Sequence, residues 1–175
     1  PKRGRASPER LALLRAYQNE SRAAIEAALA VAPYGIALEQ FALVRNLAPA
    51  AIDVCLEQAR QQSPAPVEVP IEGARFPRLF GAPVADSLTA RLTDVLHNFH
   101  TEQPSEAGLL ESGIARALQP SVPAPVLAGF IVTLLSNGNL RREGGFVALA
   151  THRAQVSKER QEFDIKIAPL LARGG

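Results

Sequence analysis

Asp94, His97 and His100 stand at spacings of three in one stretch, so a helix would carry all three toward one side. Carboxylate and imidazole are ligands for zinc, which takes about three or four of them. No ligand-rich segment follows, and the single cysteine, Cys55, lies far upstream. The spacing therefore leaves two readings, a metal site or histidines that are structural or exposed, and the second is favoured, with His100 bonding to backbone near Pro104. Cys55 falls between Ile52 and Leu56 on the apolar side of a predicted helix. Burial there raises a thiol pKa and removes its nucleophilicity, so Cys55 reads as core. Two basic clusters, Lys2, Arg3 and Arg5 at the start and Arg141-Arg142 near a glycine turn, suit contact with a phosphate backbone or simple solvated charge. The sequence has no G-x-x-x-x-G-K-[ST] loop, no G-x-S-x-G, no H-E-x-x-H and no paired carboxylates beside a base. No catalytic residue, metal ligand or cofactor is assigned to it.

The elements that must position these groups are legible from periodicity. Val84, Leu88, Leu92, Val95, Leu96 and Phe99 recur at helical spacing, and Pro104 and Gly108 stop that helix. Leu109-Leu110 reads as a short strand. A helix through Ile114 and Leu118 follows, then a break at Pro120 to Pro125 and an apolar helix from Val126 to Leu135. Asn139-Leu140-Arg141-Arg142 and Phe146-Val147-Ala148-Leu149 flank Glu143-Gly144-Gly145, which predicts a hairpin. Three helices and a hairpin in this order describe a winged helix.

An earlier stretch repeats the order. Ser7 caps a first helix over 7–19, with Pro8 in its first turn and Leu11, Leu14 and Tyr17 on one side. Helices follow at about 21–32, which carries Ile25, Ala28, Leu29 and Ala32, at about 38–45 and at about 49–62. Val67-Glu68-Val69 alternates like an exposed strand, and Arg78-Leu79-Phe80 returns after Gly73. Gly35-Ile36-Ala37-Leu38-Glu39 answers Gly108-Leu109-Leu110-Glu111, and Leu47-Ala48-Pro49 answers Leu118-Gln119-Pro120. The expected fold is mainly α with small antiparallel β-hairpins, built as tandem winged-helix modules. Residues 1–20 would be an opening segment and helix, 21–81 the first winged helix and 82–152 the second. Residues 153–175 would be a linker and the first helix of a truncated third, capped by Ser157.

Composition fits such a protein: 47% hydrophobic and 21% charged residues describe a chain that folds. The longest apolar run, Val126 to Leu135 interrupted by Thr133, is about half the ~20 residues that span a bilayer. With one cysteine and no charged-then-apolar leader, a reducing, cytoplasmic setting is expected. The absence of methionine suggests an excerpt of a longer protein. Charge is uneven, net +4 over residues 1–15, −5 over 16–122 and +3 over 123–175. The central body should repel nucleic acid. The third helix of the first module pits Asp53 and Glu57 against Arg60, and that of the second, Pro125 to Asn137, has no charged residue. Reading a DNA groove needs basic or amide side chains aimed at base edges, and neither helix offers such a face.

The opening Lys2-Arg3-Gly4-Arg5-Ala6-Ser7-Pro8-Glu9-Arg10-Leu11-Ala12 and the stretch Phe99-His100-Thr101-Glu102-Gln103-Pro104-Ser105-Glu106-Ala107-Gly108 resemble the C-terminal extension of bacterial selenocysteine-specific translation elongation factors. The second stretch, with Phe99, His100, Pro104 and Gly108 as its structural motif, resembles the helix exit in that extension's second winged helix. His152 stands where the family often has a histidine before its next module. Leu110, Ser112 and Gly113 depart from the family's polar cap and paired acids, so the second helix should be short. The resemblance implies an arm of four winged helices between a GTPase body, which carries selenocysteinyl-tRNA, and a tip that grips an mRNA hairpin on the ribosome. It implies GTP and magnesium for the full-length protein and none for this segment, which would be monomeric and contact RNA, if at all, through Lys2, Arg3, Arg5, Arg141 and Arg142. A double winged-helix DNA-binding regulator or a protein-interaction adaptor is the alternative.

Overall fold

The computed structural model describes residues 7–16 and 21–154. Lys2, Arg3, Arg5, Tyr17 and the expected third module, including Ser157, lie outside the described residues.

Helix α1 (Pro8–Ala16) opens where expected, with Ser7 Oγ accepting from the Arg10 N–H at 3.3 Å. Its inward residue differs from the expectation. Leu11 and Leu14 are exposed, and Leu13 packs against the first core. A helix lying flat on one neighbour, α2 (Ser21–Val31), needs only a narrow apolar contact. Strand β1 (Ile36–Ala37), helices α3 (Leu38–Val44) and α4 (Ala51–Arg60), and strands β2 (Val67–Val69) and β3 (Arg78–Phe80) follow. Helix α5 (Ala82–Glu102) then starts a second round: β4 (Leu109–Leu110), α6 (Glu111–Ala117), α7 (Ala124–Ser136), β5 (Leu140–Glu143) and β6 (Phe146–Leu149). Helix α6 has only seven residues, in keeping with Gly113 in its first turns.

The two rounds have one topology. Each forms an antiparallel three-stranded sheet, ordered β1-β3-β2 and β4-β6-β5. Ile36 pairs with Leu79 as Leu109 pairs with Val147. The glycine before each short strand explains why the sequence repeats there. A Cβ on Gly35 would stand 2.6 Å from Leu79 O, and one on Gly108 2.3 Å from Val147 O. Only glycine lets the chain approach the central strand so closely. These are tandem winged helices.

Two hydrophobic clusters underlie them. Ile25, Leu38, Phe41, Ile52, Cys55 and Leu79 belong to the first, and Leu96, Ile114, Phe130, Ile131, Leu134 and Val147 to the second. The wing of the first unit is braced by Arg60, whose Nε and Nη2 donate to both carboxylate oxygens of Glu68 at 2.7 and 2.9 Å while Nη1 donates to Glu57. That two-pronged pairing ties the end of α4 to β2 and holds the Glu68 carboxyl below its usual pKa.

Candidate functional site

Strand β3 serves both cores. Successive side chains of a strand point to opposite faces, so Leu79 enters the first cluster and Phe80, one residue later, enters the second. Phe80 meets Phe130 of α7 edge to face, with ring centroids 4.9 Å apart, the arrangement aromatic quadrupoles favour. Val69 of β2 is fully buried in the same cluster. The alternation of Val67-Glu68-Val69 was expected to mark an exposed strand, and the structure overturns that: α7 of the second unit covers it.

Helix α7 has no charged residue, and Val126, Leu127, Gly129, Phe130, Ile131 and Leu134 are buried while Val132 stays exposed. Leu127, Ile131 and Leu134 fill its own unit's core. Gly129 lies under the first unit's wing. A Cβ there would stand 2.2 Å from Pro70 O and 2.7 Å from a Val69 methyl, so bare backbone is what lets helix and wing meet. In a winged helix this is the helix that enters a DNA groove. Here a neighbouring wing sits on it.

A polar clasp closes the edge of this junction. Arg78 Nε donates to Tyr34 O at 2.5 Å and Nη2 to Gly35 O at 3.4 Å, fixing the turn before β1. From that turn the Tyr34 hydroxyl donates to Ser121 O at 2.9 Å, in the loop before α7. Tyr34→Phe keeps the ring and removes this bond, so we expect a loss of about 0.5–1.5 kcal/mol in urea unfolding. The bond crosses between the units, and the loss should therefore disappear in a background where the junction is already open.

The residues proposed for metal or RNA chemistry are placed differently. His100 is buried on the inner side of α5, while Asp94 and His97 are exposed; among the described residues no group of three or more His, Cys, Asp or Glu could hold a metal ion. His100 does not bond to the turn near Pro104. Side chains on a helix lean toward its N-terminus, away from that turn, and His100 Nε2 instead accepts from the Leu149 N–H of β6 at 3.4 Å. His152 takes the role expected of His100: its Nε2 lies 2.9 Å from Glu106 O, and its ring stacks on His100 with centroids 3.6 Å apart. Burial, then the neighbouring His152, Arg141 and His97, lowers the His100 pKa to about 4. Phe99 meets His100 edge-on. Cys55 is buried and its thiol pKa is raised by desolvation. Arg141 pairs with Glu143, and Arg142 with Glu111, so each arginine of the second wing already faces a carboxylate.

Residues 93–149 match the family model described as elongation factor SelB, winged helix. That segment is similar to the SelB winged helix. No curated protein matches the chain. The match runs from the middle of α5 to the end of β6 and so includes His100, Gly108, the whole of α7 and both wing strands. Within the matched segment, the sequence pattern singles out the helix exit but gives no prominence to Gly129 and Ser121. A lone glycine in an uninterrupted apolar helix was the available signal, since it costs about 1 kcal/mol against alanine unless something approaches closely. Among the described residues no helix is long and apolar enough to cross a membrane.

Proposed function

We propose that this chain is part of the winged-helix arm of a selenocysteine-specific elongation factor, acting as a spacer between the body that carries GTP and selenocysteinyl-tRNA and the tip that holds the mRNA hairpin. The observation that carries the reading is the burial of α7 beneath β2 and β3. A helix with a neighbouring wing seated on its middle, at Gly129, is blocked from lying in a groove by that face, and a joint between two close-packed units transmits orientation. The family match over 93–149 supplies the context. The chain holds no phosphate-binding loop, so GTP and magnesium belong to the body and no step here passes through them.

The same burial disfavours a DNA-binding regulator. The central acidic balance and the paired Arg141 and Arg142 point the same way. Filter binding of the chain to the cognate mRNA hairpin tests the reading. Weak binding without sequence preference, fading as salt rises, is expected; submicromolar, sequence-selective binding would sink the spacer role.

A further inference from the structure

The loop between α6 and α7 is gripped from both units. Leu118 and Val122 are buried and line one small hollow with Leu88 and Leu92, which bolts both ends of the loop to α5. Between these anchors two successive carbonyls accept from different directions. Ser121 O takes the Tyr34 hydroxyl of the first unit at 2.9 Å, and Pro120 O takes Arg91 Nη2 of α5 at 2.5 Å. Among the described residues no other hydrogen bond reaches residues 119–122. Arg91 Nε is shielded from solvent, with no partner among the described residues, so the side chain lies against the protein and not out in water.

Two points of attachment fix an angle where one would leave a swivel. The apolar seat is at Gly129, in the middle of α7, and the polar clasp lies before that helix begins at Ala124, so the two stand about 8 Å or more apart along its axis. A wing resting on the seat alone resists separation but leaves the helix free to turn beneath it. The clasp removes that freedom, and its direction depends on Arg91. The peptide group that carries Pro120 O is planar and joins directly to Ser121. A side chain that holds this group therefore steers the next carbonyl, the one that Tyr34 meets. On the other side Arg78 holds Tyr34 by its own carbonyl, so a line of hydrogen bonds runs from β3 through the loop to α5. We propose that Arg91 is a positioning residue for the joint: acting through the loop, it sets the direction of Ser121 O and with it the angle between the two winged helices. This deepens the spacer reading and rests on it, separating the group that sets the arm's angle from the seat that holds the units together.

Residual dipolar couplings of the full chain, residues 1–175, read the relative orientation of the units, and nuclear Overhauser contacts between Gly129 and Val69 read the seat. Arg91→Met keeps a long side chain and the helix propensity of α5 while removing the donors. The units are expected to shift to another mean orientation, or to lose a single one, with the Gly129 to Val69 contacts retained. Tyr34→Phe should produce the same shift, and both changes together no more than either. Arg91→Lys can still offer one N–H to Pro120 O and should restore the wild-type orientation. Any of four results would overturn the proposal: an unchanged orientation in Arg91→Met, a shift that Tyr34→Phe does not share or adds to, failure of lysine to restore it, or loss of the seat contacts in Arg91→Met, which would make Arg91 a general support of the fold. Wild-type units without a fixed orientation would sink the spacer reading as well, whereas fixed wild-type units that Arg91→Met leaves unmoved sink this proposal alone.

Discussion

Gly129→Val is expected to destabilise the chain by about 3 kcal/mol and to loosen the two units from one another. The added Cβ would start 2.2 Å from Pro70 O and 2.7 Å from Val69 Cγ1, where ordinary contacts begin near 3.4 Å. Neither neighbour can step aside. Pro70 O is backbone, fixed by β2 just before it, and Val69 is fully buried. Helix and wing must therefore part, uncovering Phe80 and Phe130. Helix propensity works in the opposite direction, since a residue other than glycine gains up to about 1 kcal/mol in a helix interior, so the collision has to outweigh that gain. Gly113→Ala supplies the contrast. Its Cβ would meet only the Leu109 side chain, with the flexible Cδ2 at 3.3 Å and Cβ at an ordinary 3.9 Å, and we expect no loss and up to about 1 kcal/mol of gain. Urea unfolding gives both numbers, and small-angle scattering reads the opening. A Gly129→Val chain as stable and as compact as wild type would mean that α7 and the wing are not in close contact.

The fold was legible where one unit's own periodicity decided it. The stripe from Val84 to Phe99, the prolines around 120–125 and the glycines of the turns marked helices, breaks and hairpins within a few residues of α5, α6, α7, β5 and β6. Repetition of a glycine before each short strand exposed the tandem arrangement, because both glycines answer to the same close approach. What one unit's pattern could not show was what the other unit does to it. Val67-Glu68-Val69 alternates as a half-exposed strand should, and only the arrival of α7 buries Val69. An apolar helix announces that it is covered without naming its cover. Leu13 rather than Leu11 and Leu14 turned inward in α1 for a related reason: with several leucines spread around a short helix, the packing partner chooses the face. His100 escaped the sequence in another way. Its partner, Leu149, is 49 residues away, and no local spacing encodes that contact.

His100 should make the chain lose stability as pH falls from 6.5 toward 4, by about 2 kcal/mol at pH 5 and about 3 kcal/mol at pH 4. The direction follows from the sign of its shift. Folding lowers the pKa from the ordinary 6.5 to about 4, so the unfolded chain binds a proton that the folded chain refuses. The contribution is complete above 6.5 and disappears as pH drops through the folded value. Burial is the first cause, with the residue only 8% exposed and Nδ1 without a partner among the described residues; His152 stacked upon it and Arg141 nearby add repulsion. Protonation would also remove the lone pair with which Nε2 accepts from Leu149 N–H, turning an acceptor into a second donor. Glu68, whose pKa is lowered by Arg60, contributes at more acidic pH, so the interval from 6.5 to 5 isolates the histidine. His100→Leu keeps the bulk and cannot titrate. It should cost about 1–2 kcal/mol at pH 7, because Leu149 N–H loses its acceptor, yet hold nearly constant stability down to pH 5. Urea midpoints measured for both chains across that interval decide it: parallel curves would show that His100 is not held neutral by its surroundings, and converging curves would tie the link between helix exit and wing to an uncharged imidazole.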